Sequence, residues 1–148
     1  MENEYRRILV AVDGSEQSKH AFYKAVEVAK RNNAELVIVQ VLDDNKGLNN
    51  ITQNLKEFAY VLNIEEQKIE ENLSDLSSKA KKELNHVRSI FKIGSPKKLI
   101  AAHIPEKENI DLIIVGATGK NAVELVLVGS VSSYVVTHAL CDVLVVRK

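Results

Sequence analysis

Asp111-Leu-Ile-Ile-Val-Gly-Ala-Thr-Gly-Lys120, continued by Asn-Ala-Val-Glu-Leu-Val-Leu-Val-Gly-Ser130, changes character twice in twenty residues. Asp111–Val115 opens it as an apolar run, the pattern of a parallel strand buried on both faces. From Gly116 the chain is punctuated by Gly116, Gly119 and Gly129. Gly129-Ser130 then opens a helix reaching about Ala139, and Val143–Val146 reads as a last strand. Strand, glycine-rich connection, helix and strand in succession are the signature of an α/β sheet.

The rest of the chain repeats that alternation. Ile8-Leu-Val-Ala-Val12 is a continuous apolar run that ends at Asp13-Gly14-Ser15. Ser15 suits a helix N-cap and Glu16 a first turn, and Phe22, Ala25, Val26 and Ala29 recur at helical spacing until Asn32-Asn33 ends the helix. Leu36–Val39 with Val41 and Leu42 makes a second buried strand. Residues 43–53 are polar and read as a loop. Leu55, Phe58, Ala59, Leu62, Ile69, Leu73, Leu76, Ala80 and Leu84 mark one stripe of a long helix, with room for a bend near Asn63. Val87–Ile93 alternates, as expected of a strand nearer a sheet edge. Gly94-Ser95-Pro96 turns the chain into a helix whose buried stripe is Leu99, Ile100, His103 and Ile104, kinked or restarted at Pro105. The order is βαβαβαβαβ, which predicts one domain over residues 1–148 with a parallel sheet and helices on both faces.

Composition removes several classes of function. The 148 residues fit one domain with a sizeable core. Hydrophobic residues at 45% are too many for disorder, and no run approaches the ~18 apolar residues of a membrane span. No basic and apolar leader opens the chain, so a cytoplasmic location is expected. Cys141 is the single cysteine, which leaves no internal disulfide and no cysteine-based zinc site. Lys plus Arg and Asp plus Glu both total 20, and a zero net charge points away from nucleic acid.

Ligands of open α/β sheets bind beyond the carboxyl ends of the strands, where the strand order reverses. The segments at such ends are Asp13-Gly14-Ser15, Val41-Leu42-Asp43, Gly94-Ser95-Pro96 and Gly116-Ala117-Thr118-Gly119. Gly116 and Gly119 let a backbone approach a ligand closely. Gly129-Ser130 offers the N–H groups of a helix start, with the Ser130 and Ser132 hydroxyls, to an anion such as phosphate. Read as structure alone, Gly116 and Gly119 shape a turn and Gly129 permits tight packing. Neither a Walker P-loop nor a G-x-G-x-x-G fingerprint is present. His20, His86, His103 and His138 show no metal-ligand spacing and no paired acid, so no catalytic residue and no protein metal site is assigned.

Gly116-x2-Gly119-x9-Gly129-Ser130 resembles the G-x2-G-x9-G-[ST] motif of the ATP-binding members of the universal stress protein family. The flanks match along the whole chain: Ile8–Ser15, Gly94-x-Pro96, Asp111–Gly116, Gly129–Ser132 and Cys141–Arg147. The resemblance implies a three-layer, five-stranded parallel sheet of order 3-2-1-4-5, the adenine nucleotide alpha hydrolase-like fold. It implies ATP at the switch point. Adenine would lie near Val12, Asp13 and Val41, with backbone groups of Asp13 and Val41 making the polar contacts. Ribose would lie near Gly116. Phosphates would meet N–H groups around Gly119, Gly129, Ser130 and Val131 and the hydroxyls of Ser130 and Ser132, with charge from Lys120; Ala117 completes the set. Mg²⁺ or Mn²⁺ would be held mainly by the phosphates. The chain departs from the family pattern at Ala117 and Thr118, where a small hydroxyl residue and a basic or His residue are frequent. It departs again at Asn121, where another glycine is common, and at Asp142, where proline is usual.

Two further expectations follow. Val143, Leu144, Val145 and Val146 would form a bare apolar sheet edge in a monomer, which antiparallel pairing with a second copy would cover, as members of the resembled family do. No general base and no arginine finger is visible, so a regulatory nucleotide-binding module with slow or no hydrolysis is favoured over the alternative, a weak ATPase or nucleotide-dependent transferase on the same fold. A receiver-like phosphoacceptor is rejected, because strand three ends in Ile93-Gly94-Ser95 without an acid.

Overall fold

The computed structural model describes residues 4–43, 55–117 and 129–147. Among the described residues five strands and four helices alternate: β1 (Arg7–Ala11), α1 (Glu16–Asn32), β2 (Glu35–Asp43), α2 (Leu55–Lys81), β3 (Val87–Gly94), α3, β4 (Leu112–Gly116), α4 (Ser130–His138) and β5 (Asp142–Val146). α3 is composite, with Pro96–Lys98 leading through a π-helical turn, Leu99–His103, into Ile104–Glu108. The strands are all parallel, in the order β3-β2-β1-β4-β5.

The central strands carry side chains buried on both faces. Ile8, Val10, Leu36, Ile38, Leu112 and Ile114 pack under α1 and α2. Leu9, Val37, Val39, Ile113 and Val115 pack on the other face, where α3 and α4 supply Ile100, Ile104 and Val135. α1 starts on a Ser15 cap, whose hydroxyl accepts from Ser18 N–H at 3.1 Å, and ends on Asn33 in the left-handed region at φ 52°. These are the ends its sequence signals.

Three expectations need correction. Of the α2 stripe, Ile69, Leu73, Leu76 and Ala80 are buried, whereas Ala59 is exposed and Leu62 half-buried, and Tyr60 and Val61 stand 69% and 55% exposed. The helix is continuous through Asn63. His103 is exposed, whereas Ala101 takes the buried place beside Ile100 and Ile104. The π turn causes this, since one extra residue per turn rotates the stripe. It also accommodates Pro105, which has no N–H and whose ring would strike the carbonyl four residues back. Ile104 N–H instead reaches the Leu99 carbonyl, five residues back. Val12 lies one residue beyond β1, although its N–H still bonds to Val39 O at 2.8 Å.

Candidate functional site

β1 and β4 are neighbours, but the helices that follow them leave to opposite faces. A crevice therefore opens beyond their carboxyl ends, at the reversal of strand order. Val12, Asp13, Val41, Gly116, Ala117, Gly129, Ser130, Val131 and Ser132 all belong to segments at this edge of the sheet. Gly119 and Lys120, the remaining candidates, lie outside the described residues, as do Thr118, Asn121 and residues 44–53 of the polar loop.

The β1 corner is closed upon itself. Gly14 takes a left-handed turn, φ 84°, that side chains avoid. Asp13 Oδ1 accepts from Ser15 N–H at 2.9 Å, and Asp13 N–H donates to Ser18 Oγ at 3.2 Å. The Ser18 hydroxyl in turn donates to Ser15 O at 3.0 Å. The Ser15 side chain thus satisfies the Ser18 N–H at the start of α1. Ser95 does the same for α3, accepting from Lys98 N–H at 3.5 Å.

α4 is different. Its N-cap is Gly129, at φ −67° and ψ 166°, which has no side chain to turn back on the helix. Gly129 N–H donates to Ala117 O, and Ala117 N–H donates to Val146 O at 2.9 Å. The first intrahelical bond is Ser133 N–H to Gly129 O, at 2.8 Å. Helix geometry then leaves the N–H groups of Ser130, Val131 and Ser132 without an intrahelical acceptor, all pointing out of the helix start beside Gly116. Ser130 is exposed. Ser132 is buried, and its hydroxyl proton goes to Gly116 O, so it ties α4 to β4.

β2 outruns β1 at the crevice. Its pairing with β1 stops at Ala11↔Val39, yet it pairs with β3 as far as Asp43↔Gly94. Val39 O faces β1, since it accepts from Val12 N–H. Strand alternation directs the Val41 N–H and C=O to the same side, past the last β1 pairing. Val12 has its side chain in the core and can offer the crevice only backbone.

Gly116 is required by close approach. A Cβ there would lie 3.0 Å from the Gln17 carbonyl oxygen, so the first turn of α1 rests directly on the end of β4. The Gln17 contact was not legible in sequence, because the first turn of α1 carries no apolar signal. Among the described residues, no three His, Cys, Asp or Glu side chains assemble as a metal ion needs, and no helix is long and apolar enough to cross a membrane. A separate depression of about 200 Å³, framed by Lys30, Asn33, Glu83 and His86, lies at the opposite edge of the sheet. Helix carboxyl ends point there, an environment that repels anions.

A sequence model of the universal stress protein family matches residues 4–147. The chain belongs to the universal stress protein family. A universal stress protein of Staphylococcus aureus (strain USA300) is 40% identical over 97% of this chain and 84% of its own length. The universal stress protein UspA from Lactobacillus plantarum superposes with a TM-score of 0.85 at 32% identity, covering 97% of this chain and 98% of its own. A universal stress protein solved in complex with cAMP shares the fold, with a TM-score of 0.71 at 23% identity over 97% of both chains.

Proposed function

We propose that this universal stress protein is an ATP-binding regulatory module whose phosphate site is the open start of α4. One observation carries this reading: among the described helix starts at the crevice, those of α1 and α3 are capped by Ser15 and Ser95, and that of α4 is not. Three N–H groups and a helix dipole there suit phosphate oxygens. Val41 offers a donor and an acceptor side by side, which is the pattern that the edge of an adenine needs. The Ser130 hydroxyl is free to add to the phosphate contacts, and Gly119 and Lys120 are assigned to the same cradle by the motif. A Mg²⁺ or Mn²⁺ ion would take its ligands from phosphate and water. That family members bind nucleotides in this fold is illustrated by the relative solved with cAMP. Turnover is slow or absent, and the protein works in the cytoplasm as a homodimer joined through Val143–Val146.

The test is calorimetric titration with ATP and Mg²⁺. Gly129 has backbone angles open to any residue, so Gly129→Val should fold while placing a branched side chain across the α4 start. Binding in the micromolar range by the wild type and none by the variant is expected. Equal binding by both would remove the phosphates from α4.

A further inference from the structure

Two buried side-chain atoms among the described residues find no hydrogen-bond partner: Gln17 Oε1 and Ser77 Oγ. They differ in kind. Ser77 lies inside α2, where a hydroxyl can rotate toward the carbonyl one turn earlier. The Gln17 amide oxygen only accepts, and no donor among the described residues lies within hydrogen-bond distance of it. A buried carbonyl oxygen without a donor is a costly feature for a fold to keep.

Gln17 also stands at a telling place. It belongs to the first turn of α1, and a Cβ on Gly116 would lie 3.4 Å from its own Cβ. It therefore walls the crevice on the α1 face, across from the open start of α4. Helical side chains lean toward the N-terminus of their helix, which in α1 is the direction of the crevice mouth. The neighbouring polar groups are engaged with one another: Asp13 with Ser15, and Ser18 with both.

We propose that Gln17 reads the sugar of the bound nucleotide, its Oε1 accepting a hydrogen bond from a ribose hydroxyl. This rests on the nucleotide site described above. With phosphates on the first turn of α4 and the base on Val41, the ligand spans from β4 to β2, two strand spacings or about 10 Å. The sugar is the middle of that molecule and lies over the ends of β1 and β4, where Gln17 meets Gly116. A hydroxyl supplies the donor that the amide oxygen lacks; a phosphate oxygen does not. Gln17 thereby selects ribonucleotides over their deoxy counterparts.

Calorimetry with ATP, 2′-deoxy-ATP and 3′-deoxy-ATP, each with Mg²⁺, tests this on the wild type and on Gln17→Met, which keeps the side-chain length and removes the oxygen. The wild type should prefer ATP to at least one deoxy analogue by about tenfold. Gln17→Met should lose about that factor for ATP and bind that analogue and ATP alike, the non-additivity that marks a direct contact. Its thermal midpoint without nucleotide should be equal or higher, since an unpaired oxygen is gone. A wild type that treats all three alike overturns the assignment, and that arm stands even should the variant fail to fold. ATP binding that Gly129→Val abolishes but Gln17→Met leaves within twofold, with discrimination intact, overturns the role of Gln17 alone. No ATP binding by the wild type overturns both.

Discussion

Gly116 and Tyr5 show how single positions constrain this molecule. The Gly116 position touches backbone: the Gln17 carbonyl oxygen would sit 3.0 Å from any added Cβ. A backbone atom cannot rotate away, so α1 would have to shift. Gly116→Ala is expected to lower the free energy of unfolding by about 1–3 kcal/mol, read by chemical denaturation, and to weaken nucleotide binding because the crevice wall moves with α1. Tyr5 acts at the other end of the sheet, where its hydroxyl donates to Asp142 Oδ2 at 2.7 Å. That hydrogen bond, with burial and the Asp142 charge adding to it, pushes the Tyr5 hydroxyl up to about 12 from its ordinary 10.0. The fold therefore favours protonated Tyr5. Its contribution is complete below pH 10 and is lost as the pH rises from 10 toward 12. Tyr5→Phe should reduce stability at pH 8 by at most about 1 kcal/mol, as suits an exposed hydrogen bond, and should flatten the decline between those two pH values. An unchanged alkaline profile in denaturation curves would contradict this. Burial, joined by the charges of Asp111 and Asp142, raises the Cys141 thiol, which suits a packed residue better than a reactive one.

At the scale of elements, α2 divides into two energetic halves. Ile69, Leu73, Leu76 and Ala80 lie in the core with the central strands, whereas Tyr60 and Val61 face outward. Leu73→Ala should cost about 2–5 kcal/mol, while Tyr60→Ala should stay within about 0.5 kcal/mol, both measured as changes in urea midpoint. A comparable loss at both positions would mean that the exposed turns are covered in solution. The buried half is also registered by polar contact, because Asn72 donates to the buried Gln40 side chain at 2.8 Å. Helical periodicity gave the stripe of α2 but not its buried length. How much of a helix its sheet buries depends on strand length and crossing geometry, which the helix's own sequence does not carry. The π turn in α3 is comparable: Pro105 predicts a disturbance, and only the packed chain shows that the disturbance exchanges His103 for Ala101.

At the scale of the molecule, β5 and β3 are the two edges of the sheet, and β5 is the more apolar. It pairs with β4 alone among the described strands. Leu144 is 36% exposed, and the exposed Val136 and Leu140 lie close by in sequence. Apolar side chains on an unpaired strand suit antiparallel pairing with a second copy. The proposed homodimer is expected to run as a dimer in size-exclusion chromatography with light scattering at micromolar concentration, and Leu144→Lys as a monomer. A wild type that runs as a monomer would refute the dimer.

Local sequence determined the strand and helix order, the Ser15 and Asn33 caps, the parallel sheet and the glycine spacing at the crevice, because short-range sterics and hydrophobic periodicity act within a few residues. Tertiary structure decided which polar groups remain available to a ligand. Ser132, read from its position as a phosphate contact, gives its proton to Gly116 O, and the Gly129 N–H goes to Ala117 O. Val41 gains its open backbone groups only because β1 ends before β2 does. Gln17 Oε1 is likewise left buried without a donor, on the turn of α1 that rests against the end of β4. Hydrogen-bond satisfaction is a property of the assembled neighbourhood, and chain segments far apart in sequence set it together.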